Sequence, residues 1–355
     1  MTVYVPALAL MIRDSVARIE FEAAGYAHGQ DGLVCGKVLA GVRFGLSRII
    51  AALRCRPVSA DFCGAAVLPF CRFAMSRILL KTDDHSRDSA GMRYVYPVIS
   101  RRAGGVSVGV NLNPNNACNW RCIYCQVPDL KRGGPPPIDL ALLERELDDF
   151  LHWAGSGDFM ATRVPAGARR LVDVAFSGNG EPTSAAEFAE AVAIVARVLA
   201  ENDLADKVLI RLITNGSMLD RKTVQAGIAQ IGRAGGEIWF KLDTGTPEGL
   251  VRINATHVRP DSVARRLARC ATLAPTWVQT CLFRTDGEPP AEAEILAYLA
   301  LLTPMAPGLA GVHLYSLARP SLQKEAPRLG RMEAEAMEDM ANRIRQLGLT
   351  VRVSP

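Results

Sequence analysis

From about residue 105 to about residue 320, short runs rich in β-branched residues alternate with longer helical patterns. This alternation narrows the fold more than any other feature of the chain. Strands are expected at 106–112, 171–176, 208–213, 237–242, 277–283 and 311–315. Helical patterns at 139–153, 184–201, 219–234, 261–273 and 291–303 lie between them. Parallel strands need a crossover of about a dozen residues or more, and these gaps supply it. The expectation is an α/β fold, a partial (β/α)6 TIM-like barrel. A helix near 331–347 and a short strand at 350–353 would close its end. Thr183 or Ser184 is placed to cap the second helix, with Glu187 completing a capping box.

Residues 1–74 show no sustained period of 3.6 or 2, and good caps are scarce. They are expected to be a poorly ordered extension or the product of an over-extended start, with Met75 as the initiator. The domain proper is then 75–355, with its core at about 105–320. Residues 75–105 and the C-terminal helix are expected to cover part of the barrel mouth. The net charge is +5, and residues 1–74 hold eight basic against five acidic residues, leaving 33 against 31 in the remainder. So neutral a body argues against a protein built to coat nucleic acid. The apolar stretches near the N-terminus are short and broken by charge, so no membrane span is expected. Nine cysteines, an odd number in a chain too long to need disulfide staples, make a reduced cytoplasm the expected compartment.

Directly after the first strand, three thiols form a C-x3-C-x2-C array, Cys118-Asn-Trp-Arg-Cys122-Ile-Tyr-Cys125. In α/β folds, functional groups gather where strands end and loops begin. Thiolates are the usual ligands of iron–sulfur clusters, and three of them on a four-iron cube leave one iron open to an exogenous molecule. Structural zinc normally takes four ligands. His152, inside a predicted helix, and His85, upstream, lie at no matching spacing. Cys35, Cys55, Cys63, Cys71, Cys270 and Cys281 are scattered, so no auxiliary cluster is expected.

Later strand ends carry polar groups in sequence. The second gives Gly178-Asn179-Gly180-Glu181-Pro182, a turn whose backbone can approach a ligand closely. The third gives Thr214-Asn215-Gly216, which alone reads as an ordinary Asn-Gly turn. Lys241 and Asp243 end the fourth. On the fifth, Gln279 and Cys281 share a face by strand alternation, and Cys281 also reads as a small core residue. The sixth runs from His313 through Tyr315 to Arg319.

Over about residues 95–320 these elements resemble, in order, the radical S-adenosylmethionine (SAM) superfamily. The cysteine array, with the aromatic Tyr124 before its last member, is similar to that family's signature. The resemblance implies a barrel of the radical SAM type in which Cys118, Cys122 and Cys125 hold a [4Fe-4S] cluster and SAM chelates the open iron. Reductive cleavage of SAM would then yield a 5′-deoxyadenosyl radical that takes a hydrogen atom from the substrate. Gly178, Asn179, Gly180 and Glu181 resemble the Gly-Gly-Glu-Pro element that holds the methionine amino group, with Asn179 interrupting the glycine pair. By the same resemblance Tyr124 belongs to the cofactor site, and Thr214 and Asn215 lie near the ribose or carboxylate. Asp243 or Lys241 would contact ribose hydroxyls or the carboxylate. The end of the sixth strand resembles the adenine-contacting edge; Arg319 could instead hold an anionic substrate group. The Asn-Pro-Asn-Asn-Ala approach to Cys118 is similar to that of uncharacterised iron–sulfur oxidoreductases, distantly like wybutosine-synthesising and molybdenum-cofactor radical SAM enzymes.

The implied function is hydrogen abstraction from an unidentified small or medium substrate, with a flavodoxin or ferredoxin as electron donor. Arg101, Arg102, Lys131 and Arg132 flank the cysteine loop and suit phosphate or carboxylate. In an RNA-modifying alternative they would contact an RNA backbone. A third reading is an iron–sulfur electron-transfer protein that binds the cluster without cleaving SAM.

Overall fold

The computed structural model describes residues 79–81, 90–100 and 103–354. The chain divides into two units, Met1–Gly64 and Ala65–Pro355, and every described residue belongs to the second. The expected extension at 1–74, the Met75 start, His85, Arg101 and Arg102 lie outside the described residues.

An eight-stranded sheet runs in chain order. Its strands are β1 (Val95–Ser100), β2 (Gly105–Val110), β3 (Leu171–Phe176), β4 (Leu209–Thr214), β5 (Glu237–Lys241), β6 (Thr276–Cys281), β7 (Gly311–Tyr315) and β8 (Val351–Ser354). β1 pairs antiparallel with β2, and every later pairing is parallel. The helices are α1 (Leu140–Gly155), α2 (Asp158–Arg163), α3 (Phe188–Glu201), α4 (Lys222–Arg233), α5 (Pro247–Asn254), α6 (Pro260–Ala271), α7 (Glu292–Leu302) and α8 (Ala334–Arg345). No helix among the described residues is long and apolar enough to cross a membrane.

Strand alternation sorts the side chains by parity. Val106, Val108, Val110, Val174, Phe176, Ile210, Leu212, Ile238 and Phe240 point to the helix layer and form one core with it. That core includes Leu143, Leu147, Phe150, Leu151 and Ala154 of α1, one stripe at helical spacing. Each such apolar side chain, fully buried, stabilises the fold by about 1.5–3 kcal/mol. The alternate side chains face the other way: odd-numbered ones of β2 through β7, with Tyr96, Val98 and Ser100 of β1 and Ser354 of β8, line a single cavity of about 330 Å³. A flat sheet could not bring both of its edges to one cavity; the sheet is therefore curled into an open half-barrel.

The six expected strands and five expected helices are present, with ends displaced by a few residues. Three expectations require correction. The capping box at Thr183 or Ser184 does not form, because α3 starts at Phe188 with Glu187 itself as the uncapped N-cap residue. The hydroxyls of Thr183 and Ser184 bond Glu181 instead. Residues 95–100 do not cover the mouth; they form the edge strand β1. Nor does α8, which packs against β7 and β8 with Met337, Met340, Ala341 and Ile344 buried.

Candidate active site

The cysteine loop leaves β2 at Asn111, whose Oδ1 accepts the N–H groups of Asn113 at 3.0 Å and Asn179 at 3.1 Å. This one side chain joins the start of the loop to the Gly178–Gly180 turn after β3. Only glycine fits on either side of Asn179. A Cβ at Gly178 would lie 2.4 Å from Asn111 Oδ1, and one at Gly180 would lie 2.1 Å from the Ala117 carbonyl oxygen. Asn179 is a further tie, since its Nδ2 donates to Asn116 Oδ1 at 2.7 Å. Its own Oδ1 is buried with no donor among the described residues.

Glu181 is 3% exposed. Its Oε1 accepts from the Thr183 N–H, the Thr183 hydroxyl and the Thr214 hydroxyl, and its Oε2 accepts from the Asn215 N–H at 2.6 Å. Burial raises its pKa, against the opposing pull of these donors. Thr214 is fully buried and spends its hydroxyl on Glu181, whereas Asn215 faces the cavity. Asn215 Nδ2 donates to Asn119 Oδ1 at 2.9 Å, tying the end of β4 to the middle of the cysteine loop.

Cys118, Cys122 and Cys125 are unpaired thiols that line the same cavity. Burial pushes Cys118 up to about 11 and Cys122 up to about 12. Lys131 and Arg132 are exposed and pair as a short parallel bridge with Ala117 and Cys118. On the other side, Leu322 N–H donates to the Cys125 carbonyl at 2.9 Å, and the Arg121 guanidinium makes a two-pronged ion pair with Glu325. Beneath the loop lies the last turn of α5, where Ile253 and Asn254 carbonyls accept the N–H groups of Ile123 and Arg121.

Tyr124 is buried, packs on Phe283 at 5.6 Å and lies 5.0 Å from Lys241 Nζ. Its hydroxyl donates to Asp243, which also accepts the Cys281 N–H. Asp243 lines a smaller neighbouring cavity of about 180 Å³ and is absent from the walls of the larger one. Lys241, Gln279, Cys281, Tyr315 and Arg319 do line the larger one. Burial alone would lower the Lys241 pKa, but Tyr315 and Asp243 raise it further than burial lowers it, which keeps the ammonium charged. His313 lies between Trp239 and Trp277, its ring tilted against each with centres 4.5 and 4.7 Å away.

The polar floor of this chamber escaped the sequence reading. Arg211 pairs with Asp173 and with Glu237, and its guanidinium sits 4.3 Å from the centre of the Trp239 ring. Ser107 donates to the same Asp173. The available signal was one charge inside each of two apolar runs, Leu171–Phe176 and Leu209–Thr214, at inward-facing positions. β1 was also missed, and it supplies Tyr96, whose ring lies across Gly109 and whose hydroxyl bonds Ser177 at 3.0 Å.

Three thiols on one loop are a donor set of the kind that ligates iron–sulfur clusters. Among the described residues no three His, Cys, Asp or Glu converge on a single-ion site, and His152 pairs with Asp148 on the exposed face of α1. Asn179 Oδ1, an acceptor left without a donor beside the same cavity, would suit a cationic group there.

Residues 112–299, more than half of the chain, match the model of the Radical SAM superfamily. A radical SAM methyltransferase from Sphaerobacter thermophilus has a TM-score of 0.50 and is 15% identical over 73% of this chain and 68% of its own. That likeness shows a shared fold. TYW1 with a lysine-pyruvate adduct bound has a TM-score of 0.48 and is 17% identical over 74% of this chain and 78% of its own. SuiB from Streptococcus suis bound to S-adenosylmethionine has a TM-score of 0.44 and is 12% identical over 69% of this chain, which spans only 45% of that protein's chain. No curated protein matches the sequence.

Proposed function

This chain is an enzyme of the radical SAM superfamily, and from that premise we propose that Cys118, Cys122 and Cys125 hold a [4Fe-4S] cluster beside bound SAM. The reaction is hydrogen abstraction from a small or medium-sized substrate in the cavity below. The observation that carries this reading is three unpaired thiols on one loop, facing the same chamber as Asn179, Glu181 and Asn215. Together the cluster and SAM supply the one-electron cleavage that yields a 5′-deoxyadenosyl radical.

The protein's own residues bind and orient. Burial keeps the Cys118 and Cys122 thiols protonated in the metal-free chain, so cluster assembly must displace those protons. Asn179 offers its free Oδ1 to the methionine ammonium, and Glu181 adds negative charge beside it. Tyr124, Phe283 and Leu317 close an apolar side against the loop and exclude water there. Lys241, Gln279 and Arg319 suit a carboxylate or phosphate, of SAM or of the substrate. Among the described residues Cys270 and Cys281 are the only other cysteines, and both are buried. The proposed source of the electron is external, a flavodoxin or ferredoxin.

The test is 5′-deoxyadenosine formation by the anaerobically reconstituted full chain with dithionite and SAM, beside Cys122→Ala. Product from the wild type and none from the variant is the expected result. A loaded cluster that never cleaves SAM would favour electron transfer instead.

A further inference from the structure

Asn254 ends α5, 132 residues from Cys122 in sequence and in contact with it in the fold. It is 1% exposed. Its Nδ2 donates to Cys122 Sγ at 3.3 Å and to Asp243 Oδ2 at 2.9 Å. Two backbone bonds bracket that contact, Arg121 N–H to the Asn254 carbonyl at 3.1 Å and Ile123 N–H to the Ile253 carbonyl at 2.8 Å. The turn therefore cannot drift from the sulfur without releasing the cysteine loop.

An asparagine amide has a donor end and an acceptor end. Reversed, Asn254 would set its Oδ1 against the Asp243 carboxylate, acceptor against acceptor. Asp243 thus selects the orientation that aims an N–H at Cys122. Asp243 is itself fixed by the Tyr124 hydroxyl and the Cys281 N–H. Two unfavourable features accompany the arrangement. Asn254 Oδ1 is buried with no donor among the described residues. Ala255, the next residue, is left-handed at φ 49°, a region that a residue with a Cβ avoids. Ala255 takes this conformation as the cap of α5, its N–H and that of Thr256 bonding back to the helix. It thereby fixes the end of α5 on which the Asn254 amide is aimed at the sulfur.

We propose that Asn254 is the outer hydrogen-bond donor that sets the reduction potential of the cluster ligated by Cys122, with Asp243 as its orienting residue. The proposal rests on the cluster reading above. An N–H directed at a ligand sulfur stabilises the added negative charge of the reduced cluster, and so raises its potential.

The test compares the reconstituted full chain with Asn254→Leu and Asn254→Ala. Iron and sulfide per chain are measured first, and the potential then comes from a redox titration followed by electron paramagnetic resonance. Both variants should load the cluster and titrate at lower potential. The expected fall in the reduced-to-oxidised ratio at a fixed poise is about tenfold, equivalent to about 59 mV for a one-electron couple. The two replacements differ in volume, so a common downward shift separates a lost donor from altered packing. A wild-type potential in either loaded variant, shifts of opposite sign, or loss of iron from both would overturn the assignment. Wild-type protein that loads no cluster would overturn the cluster reading itself.

Discussion

The Thr214 hydroxyl donates to Glu181 Oε1 at 2.6 Å, which locks the ends of β3 and β4 together directly behind the cysteine loop. Every hydrogen-bond donor at Glu181 expects a carboxylate: two main-chain N–H groups and two hydroxyls converge on it. In Glu181→Gln one oxygen becomes an amide with two N–H groups, and at least one buried donor is left facing another donor. The expected loss is about 1–3 kcal/mol, read by urea denaturation. An unchanged midpoint would show that Glu181 does not join these strands.

The Gly180 turn is pressed against the loop it faces. In Gly180→Ala the new Cβ meets the Ala117 carbonyl oxygen, one residue before Cys118. The loop must move, and bound iron per chain should fall severalfold after reconstitution. Gly134→Ala is the control, because nothing lies within 4 Å of its Cβ. Equal iron contents in the two variants would contradict this packing argument.

Asp173 is fully buried and pairs with Arg211 beneath the cavity. Asp173→Ala leaves a buried guanidinium with Glu237 as its remaining carboxylate partner. Removing one member of a buried pair costs about 3–5 kcal/mol. Glu237 should hold the loss near the lower end of that range, about 3 kcal/mol. A loss well under about 1 kcal/mol in chemical denaturation would show that the floor relaxes or hydrates without the pair.

Arg121, between two of the cysteines, is clamped by Glu325 at 2.8 Å. Burial would raise the Glu325 pKa, but Arg121 lowers it below its ordinary value of 4.5. A carboxylate depressed in the folded state contributes stability above its unfolded pKa and loses it as pH falls through the folded value. The gap in stability between wild type and Glu325→Gln should therefore be about 1 kcal/mol at pH 7. It should shrink as the pH drops below 4.5. A gap that widens on acidification would reverse the sign and refute the argument.

The sequence by itself determined where strands β2 to β7 lie along the chain and the placement of Cys118, Cys122 and Cys125 just after the first of them. Those are local properties, because alternation within a strand and spacing within a loop do not depend on what lies opposite. The same logic explains two omissions. β1 carries Pro97, which marks an edge strand and weakens its signal. α5 spans only eight residues, too few for a helical period to show. Tertiary structure alone decided the rest. It showed Asn179 to be a tie to the cysteine loop where the sequence suggested only a departure from a glycine pair, and it turned Asp243 toward Tyr124 and Asn254. It also assembled Ser107, Asp173, Arg211 and Glu237 into one floor. Apart from Asp243–Asn254, eleven residues apart, these contacts join segments tens of residues apart, brought face to face by the curl of the sheet. Side-chain partners at that range depend on which strands neighbour one another and how far the sheet bends, and neither quantity is written in any local stretch of the chain.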